Sequence, residues 1–198
     1  MNYLAHACLS FGKPAYLVGN FLGDFVKNRD LAYLTPEIVA GVRLHRSIDT
    51  FTDKHPLILE ANKLLYPLHR KYAGVLMDIF CDHLLAKAWN DFCQKPMRSY
   101  INEAYTAYQD HEFLMQDPVR QRMQAMVADD WLWHYGDIQG IEKTLYYLAR
   151  RVSQPTWLEG AVDTLQREEQ SISDMFASFF PDLILHAQET ILQNEAKS

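Results

Sequence analysis

The chain has 198 residues, of which 48% are apolar, and carries 19 Lys and Arg against 25 Asp and Glu for a formal net charge of −6. This suits one domain with an interior large enough to exclude water, and it argues against broad nucleic-acid binding, which needs extensive phosphate neutralisation. Three cysteines at irregular spacing, with no C-x-x-C pair, exclude a disulfide framework.

No apolar run approaches the ~18 residues of a membrane span, and the opening segment lacks a basic n-region, so a cytoplasmic location with no membrane partner is expected. Proline follows a capping residue in Thr35-Pro36-Glu37, His55-Pro56 and Asp117-Pro118, whereas strand signals are weak. The pattern predicts an all-α single domain over 1–198, a bundle of about eight or nine helices. They are expected at roughly 16–27, 36–53, 56–65, 70–93, 97–113, 118–134, 137–151, 156–179 and 182–194.

Ahead of the first of these, His6 stands isolated. In 16–27, Asn20 and Asp24 are four apart and share a helix face, although Asn20 equally suits a bond to backbone or to a neighbouring helix. In 36–53, Ile38, Val39, Val42, Ile48 and Phe51 supply apolar faces while His45, Asp49 and Asp53 follow a four-residue row. Arg46 on that segment suits an intrahelical ion pair as well as a substrate contact. Arg43, Arg46, Lys54, His69, Arg70 and Lys71 form a cationic run that could face an acidic partner.

Segment 70–93 is the most apolar of the long helices, and Asp78, Asp82 and His83 interrupt it. The later segments carry the aromatic mass as core, with Trp131 and Tyr135, four apart, the pair suited to lining a ligand groove. Asp182 after Pro181 is expected to cap a new helix, and the polar tail after Leu192 to fray.

Carboxylates in apolar surroundings are costly unless paired, protonated or metal-bound. Three polar sets at helical spacing, with Asp and His but no Cys, point to a metal centre built between facing helices. Mn²⁺ suits such donors best, with Mg²⁺ the alternative. The usual phosphate-loop, dinucleotide, serine-hydrolase and zincin motifs do not occur.

The stretches Asn2-Tyr3-Leu4-Ala5-His6, Gly19-Asn20-Phe21-Leu22-Gly23-Asp24-Phe25, Gly41-Val42-Arg43-Leu44-His45-Arg46-Ser47-Ile48-Asp49 and Asp78-Ile79-Phe80-Cys81-Asp82-His83-Leu84 with Trp89 resemble the acyl carrier protein phosphodiesterase family. A weaker echo runs through Trp131-Leu132, Tyr135, Gly140-Ile141 and Arg150. The resemblance implies an HD-domain-like fold and a manganese-dependent hydrolase of lipid metabolism. Its reaction would remove 4′-phosphopantetheine from holo-acyl carrier protein to leave the apo-protein. The sequence departs from the usual HD pattern, because no His-Asp dipeptide occurs and the nearest forms are His45-Arg46 and Asp82-His83.

On this reading the metal ligands come from Asp24, His45, Asp49, Asp78 and Asp82. His83 or His6 protonates the departing serine oxygen, and Arg46 stabilises phosphoryl charge. Asn20 contacts substrate or orients its neighbours, and Arg43, Arg70 and Lys71 dock the acidic carrier protein. The competing readings are an HD-like phosphohydrolase of nucleotides or other small phosphodiesters, and a non-catalytic helical interaction module.

Overall fold

The Thr35 hydroxyl accepts a hydrogen bond from the Ile38 amide, and Pro36 fills the first helical position, so a long helix begins where the sequence places its start. This computed structural model describes residues 1–196. Among them no strand occurs, and the chain forms α1 (Tyr3–Cys8), α2 (Pro14–Leu22), α3 (Pro36–Lys54), α4 (Pro56–His69), α5 (Ala73–Lys87) and α6 (Trp89–Phe92). There follow α7 (Met97–Asp110), α8 (Val119–Ala128), α9 (Trp131–His134), α10 (Ile138–Ala149), α11 (Ala161–Arg167) and α12 (Glu169–Glu195). Short 3₁₀ turns at Asn28–Tyr33, Arg70–Tyr72, Glu112–Leu114 and Pro155–Leu158 join them.

The all-α expectation holds, and α3 departs from its predicted bounds by one residue. The differences lie at the breaks. Asp130, in the left-handed conformation at φ 50°, separates α8 from α9 inside the predicted 118–134 segment. The reverse happens at Pro181, which lies inside α12 instead of starting a helix, so Asp182 is no cap. A proline there removes a backbone bond and costs roughly 3 kcal/mol. Phe176, Phe179, Phe180 and Leu183 are buried on both sides of it, and each contributes about 1.5–3 kcal/mol by leaving water. Tertiary burial therefore outweighs the local breaker. The same helix continues to Glu195, past the point where the tail was expected to fray; residues 197 and 198 of that tail lie outside the described residues.

The core joins both halves of the sequence. α12 packs against α3, α4 and α5, and α5 buries Leu76, Ile79, Phe80, Leu84 and Leu85 between its neighbours. At the α2–α3 crossing the two backbones come into direct contact. A Cβ on Gly19 would lie 2.1 Å from the Ile38 carbonyl oxygen, and one on Gly41 would lie 2.8 Å from that of Tyr16. Only glycine permits this contact, which brings the end of α2 against the polar row of α3.

Candidate metal centre

Three elements converge on one point. α1 contributes His6, α2 and the turn after it contribute Asn20 and Asp24, and α3 contributes His45 and Asp49. His6 Nε2 lies 3.1 Å from Asp49 Oδ1, and His45 Nε2 lies 3.1 Å from Asp49 Oδ2 and 3.2 Å from Asp24 Oδ1. The two imidazoles stack, with centroids 4.2 Å apart. Ligand-type atoms of His6, His45 and Asp49 all lie within 4.8 Å of one another.

Asn20 sets the direction of His45. Its amide nitrogen donates to the His6 carbonyl (2.8 Å) and to Ser10 Oγ (3.1 Å), so its oxygen must face His45 Nδ1 at 3.2 Å. An amide oxygen only accepts, hence Nδ1 carries the proton and Nε2 is turned toward the carboxylates. Gly23 makes room for the ring, since a Cβ there would stand 2.2 Å from His45 Cγ.

The electrostatics are those of a centre short of positive charge. Burial lowers the His45 pKa, but its hydrogen bonds to Asp24 and Asp49, which accept, outweigh this and raise the value to about 9. Burial acts to raise the Asp49 pKa, and contacts with His45 and His6 reverse this to hold the carboxyl well below its usual range. His6 goes the other way, lowered chiefly by burial, and its Nδ1 is buried without a hydrogen-bond partner. A divalent cation among these atoms would replace the proton on His45 and compensate the carboxylates. Two imidazole nitrogens with carboxylate oxygens and no thiol suit Mn²⁺ better than Mg²⁺, which favours oxygen ligands.

The predicted α5 set divides. Asp78 is partly exposed and accepts from the Met1 amino group at 2.9 Å, which is 4.0 Å from Asp49 Oδ1, so Asp78 borders the centre. Asp82 does not behave as a ligand. It is fully buried, its Oδ2 accepts from the Leu4 amide (2.7 Å), and its Oδ1 accepts from the amides of Asn2 (3.3 Å) and Ala5 (3.2 Å). It thus caps α1 from across the fold, and burial raises its pKa to about 7 against the pull of those amides.

His83 donates from Nδ1 to the Tyr135 carbonyl at 2.7 Å and belongs neither to the cluster nor to the cavity beside it. The general-acid role expected of it has no support in this geometry. His6, expected as the alternative acid, instead presents a ligand atom.

The cationic residues also separate. Arg46 donates to Asn28 Oδ1 and to the Val26 carbonyl (2.8 Å), lining a shallow groove with Arg43 and Lys54 away from the polar cluster. Expected to meet phosphoryl charge, Arg46 is instead engaged with Asn28 and Val26 and does not line the cavity that Asp24 borders. His69 is buried between the Trp157 carbonyl (2.7 Å) and Thr164 Oγ1 (2.9 Å), outside any basic surface. Arg70 and Lys71 are exposed beside Tyr66, Tyr72 and Trp157, in a different neighbourhood from Arg43.

A cavity of about 320 Å³ opens next to the centre, with Asp24 and Asp78 at its edge and Tyr3, Arg122, Trp131 and Tyr135 on its walls. Trp131 and Tyr135 thus meet in a groove, as their spacing suggested. Arg122 escaped the sequence reading, because α8 lies far along the chain and carries no local motif. Its one signal was an Arg120-Gln121-Arg122 pair of arginines, the second nine residues before Trp131.

Residues 1–183 match a family model described as acyl carrier protein phosphodiesterase. Similar proteins include acyl carrier protein phosphodiesterases of Photorhabdus laumondii, 28% identical over 95% of this chain and 96% of the relative, and of Yersinia pestis, 31% identical over 95% and 98%. One from Escherichia coli O139:H28 is 28% identical over 97% of this chain and 100% of its own. No solved structure matches.

Proposed function

The chain belongs to the acyl carrier protein phosphodiesterase family, and on that premise we propose that it is a phosphoric diester hydrolase that cleaves 4′-phosphopantetheine from the serine of holo-acyl carrier protein. The observation that carries the reading is the convergence of His6, His45 and Asp49 within 4.8 Å, beside a cavity that shares Asp24 with them. His6, His45, Asp49 and Asp24 would hold a divalent metal, Mn²⁺ in preference to Mg²⁺. Such an ion supplies charge neutralisation for a phosphoryl group and lowers the pKa of water.

The residues of the chain supply the rest. Asn20 holds His45 with Nε2 inward, and Asp82 fixes the start of α1 and so the place of His6. Asp78 borders the centre and lines the cavity, and it is the carboxylate able to accept a proton from the attacking water and pass it to the departing serine oxygen. The aromatic walls limit water around the ester. The products are apo-carrier protein with a free serine and 4′-phosphopantetheine. The carrier is a protein partner in lipid metabolism, and the reaction belongs in the cytoplasm. No described helix is long and apolar enough to cross a membrane.

Intact-mass measurement of holo-carrier protein incubated with the Mn²⁺-loaded chain tests the reading. Loss of the phosphopantetheine mass is expected; an unchanged holo mass, with the metal bound, would refute it.

A further inference from the structure

The cavity beside the centre contains a cation that the proposed chemistry has not used. Arg122 donates from Nε to the Tyr3 hydroxyl at 2.7 Å, and its guanidinium lies 5.5 Å from the Tyr3 ring centroid and 5.9 Å from that of Trp131. Both rings line the same cavity. A guanidinium held by one nitrogen and flanked by aromatic rings has little rotational freedom left, and its two terminal nitrogens keep their donors.

No carboxylate among the described residues pairs with Arg122 or with Arg151, which also lines the cavity. Lys143 on the same wall differs, since it pairs with Asp129 at 3.3 Å. A partly buried, pre-oriented arginine without a counter-ion, facing a cavity, is arranged for an anion. The remaining wall includes apolar surface from Val75, Ile79 and Leu148. Its volume of about 320 Å³ falls in the ~300–1,000 Å³ range of small-molecule sites.

Resting on the phosphodiesterase reading above, we propose that this cavity takes the phosphopantetheine arm of the substrate, with Arg122 as the anchor for its phosphoryl oxygens and Tyr3 and Trp131 as the clamp that orients Arg122. An extended chain of amides and methylenes ending in a phosphoryl group matches a cavity with mixed walls and an arginine fork, and the cation that Asp24 and its partners would hold offsets the carboxylates at its edge. Arg151 adds long-range attraction from its exposed position.

Calorimetric titration of the Mn²⁺-loaded protein with 4′-phosphopantetheine and with pantetheine tests this. The wild type is expected to prefer the phosphorylated probe. Arg122→Ala should weaken it about tenfold or more while changing pantetheine binding little. Arg122→Lys should fall between, because a point charge lacks the fork, and Tyr3→Phe should give a smaller loss by freeing the guanidinium.

Equal binding of 4′-phosphopantetheine by wild type and Arg122→Ala would overturn the assignment, as would equal losses for both probes. Should Arg122→Ala fail to fold, wild-type affinity in both Arg122→Lys and Tyr3→Phe would overturn it. The two readings fail separately. Cleavage of holo-carrier with the same kcat and KM in wild type and Arg122→Ala removes this inference alone. Arg122-dependent probe binding without cleavage of holo-carrier by the wild type removes the parent reading and leaves the anion site.

Discussion

His45 and Asp49 on α3, and Asp78, Asp82 and His83 on α5, present the same pattern of four-residue spacing in apolar surroundings, yet the two sets do different work. On α3 the polar atoms meet other side chains: His45 Nε2 faces Asp24 and Asp49, and Asp49 also faces His6. On α5 Asp82 and His83 meet backbone, namely the amides at the start of α1 and the Tyr135 carbonyl. Spacing decides which residues share a face; what the neighbouring helix offers decides their role. Where it presents a side chain with spare donor or acceptor capacity, a centre for an ion results. Where it presents a helix end, the carboxylate becomes a cap.

The most severe way to break this contrast is to exchange the consequences. Asp49→Ala should reduce turnover of holo-carrier by at least about a thousandfold and leave far-ultraviolet circular dichroism unchanged, because three contacts of the centre depend on that carboxylate. Retained turnover would place the centre elsewhere.

Asp82→Ala should act on stability first. It orphans three amides at the start of α1, which at about 1–3 kcal/mol for each group that stays unsatisfied amounts to roughly 2–4 kcal/mol after relaxation. For a chain of this size the Tm should drop by about 4–16 °C, read by calorimetry. An unchanged Tm would show that Asp82 does not hold α1.

A subtler change sharpens the account of His45. Asn20→Ala removes the acceptor that fixes its tautomer and should weaken Mn²⁺ binding about 10- to 100-fold with the fold retained. Equal affinity would mean that packing against His6 alone orients the ring.

The smallest effect is the pH dependence of the metal-free protein. The His45 pKa in the fold, about 9, stands above its unfolded value near 6.5, so its contribution to stability is full below pH 6.5 and is lost as pH rises through 9. Metal must displace that proton, so Mn²⁺ affinity should rise with pH by up to about tenfold per unit below 9. Affinity that is flat between pH 6.5 and 8 would contradict a protonated His45 in the metal-free state.

Much of the fold was legible where local chemistry sets it. The cap and proline at Thr35-Pro36 place α3, and the i, i+4 row puts His45 and Asp49 on one face of it, whereas Asp24 reaches the centre from the turn after α2, which ends at Leu22 and not at the expected residue 27. α1 was not legible, because six residues carry too little periodicity and its start is held by Asp82 from nearly eighty residues away. Nor was the continuity of α12 through Pro181, which burial of Phe179 and Phe180 enforces against local preference. Within the candidate site His45, Asp49 and Asp24 announced themselves, whereas His6 stood isolated in the sequence and the roles of Asp82, His83 and Arg122 depend on partners far away in sequence. Arg46 misled for the opposite reason: its neighbours in sequence are at the centre, but its guanidinium turns to Val26 and Asn28.

Elemental analysis of the purified wild type, Asp49→Ala and Asp82→Asn after equilibration with Mn²⁺ tests the contrast between the two helices most directly. The account predicts bound metal in the wild type and in Asp82→Asn, which keeps an acceptor for the α1 amides, and none in Asp49→Ala. Metal retained by Asp49→Ala, or lost from a folded Asp82→Asn, would contradict it.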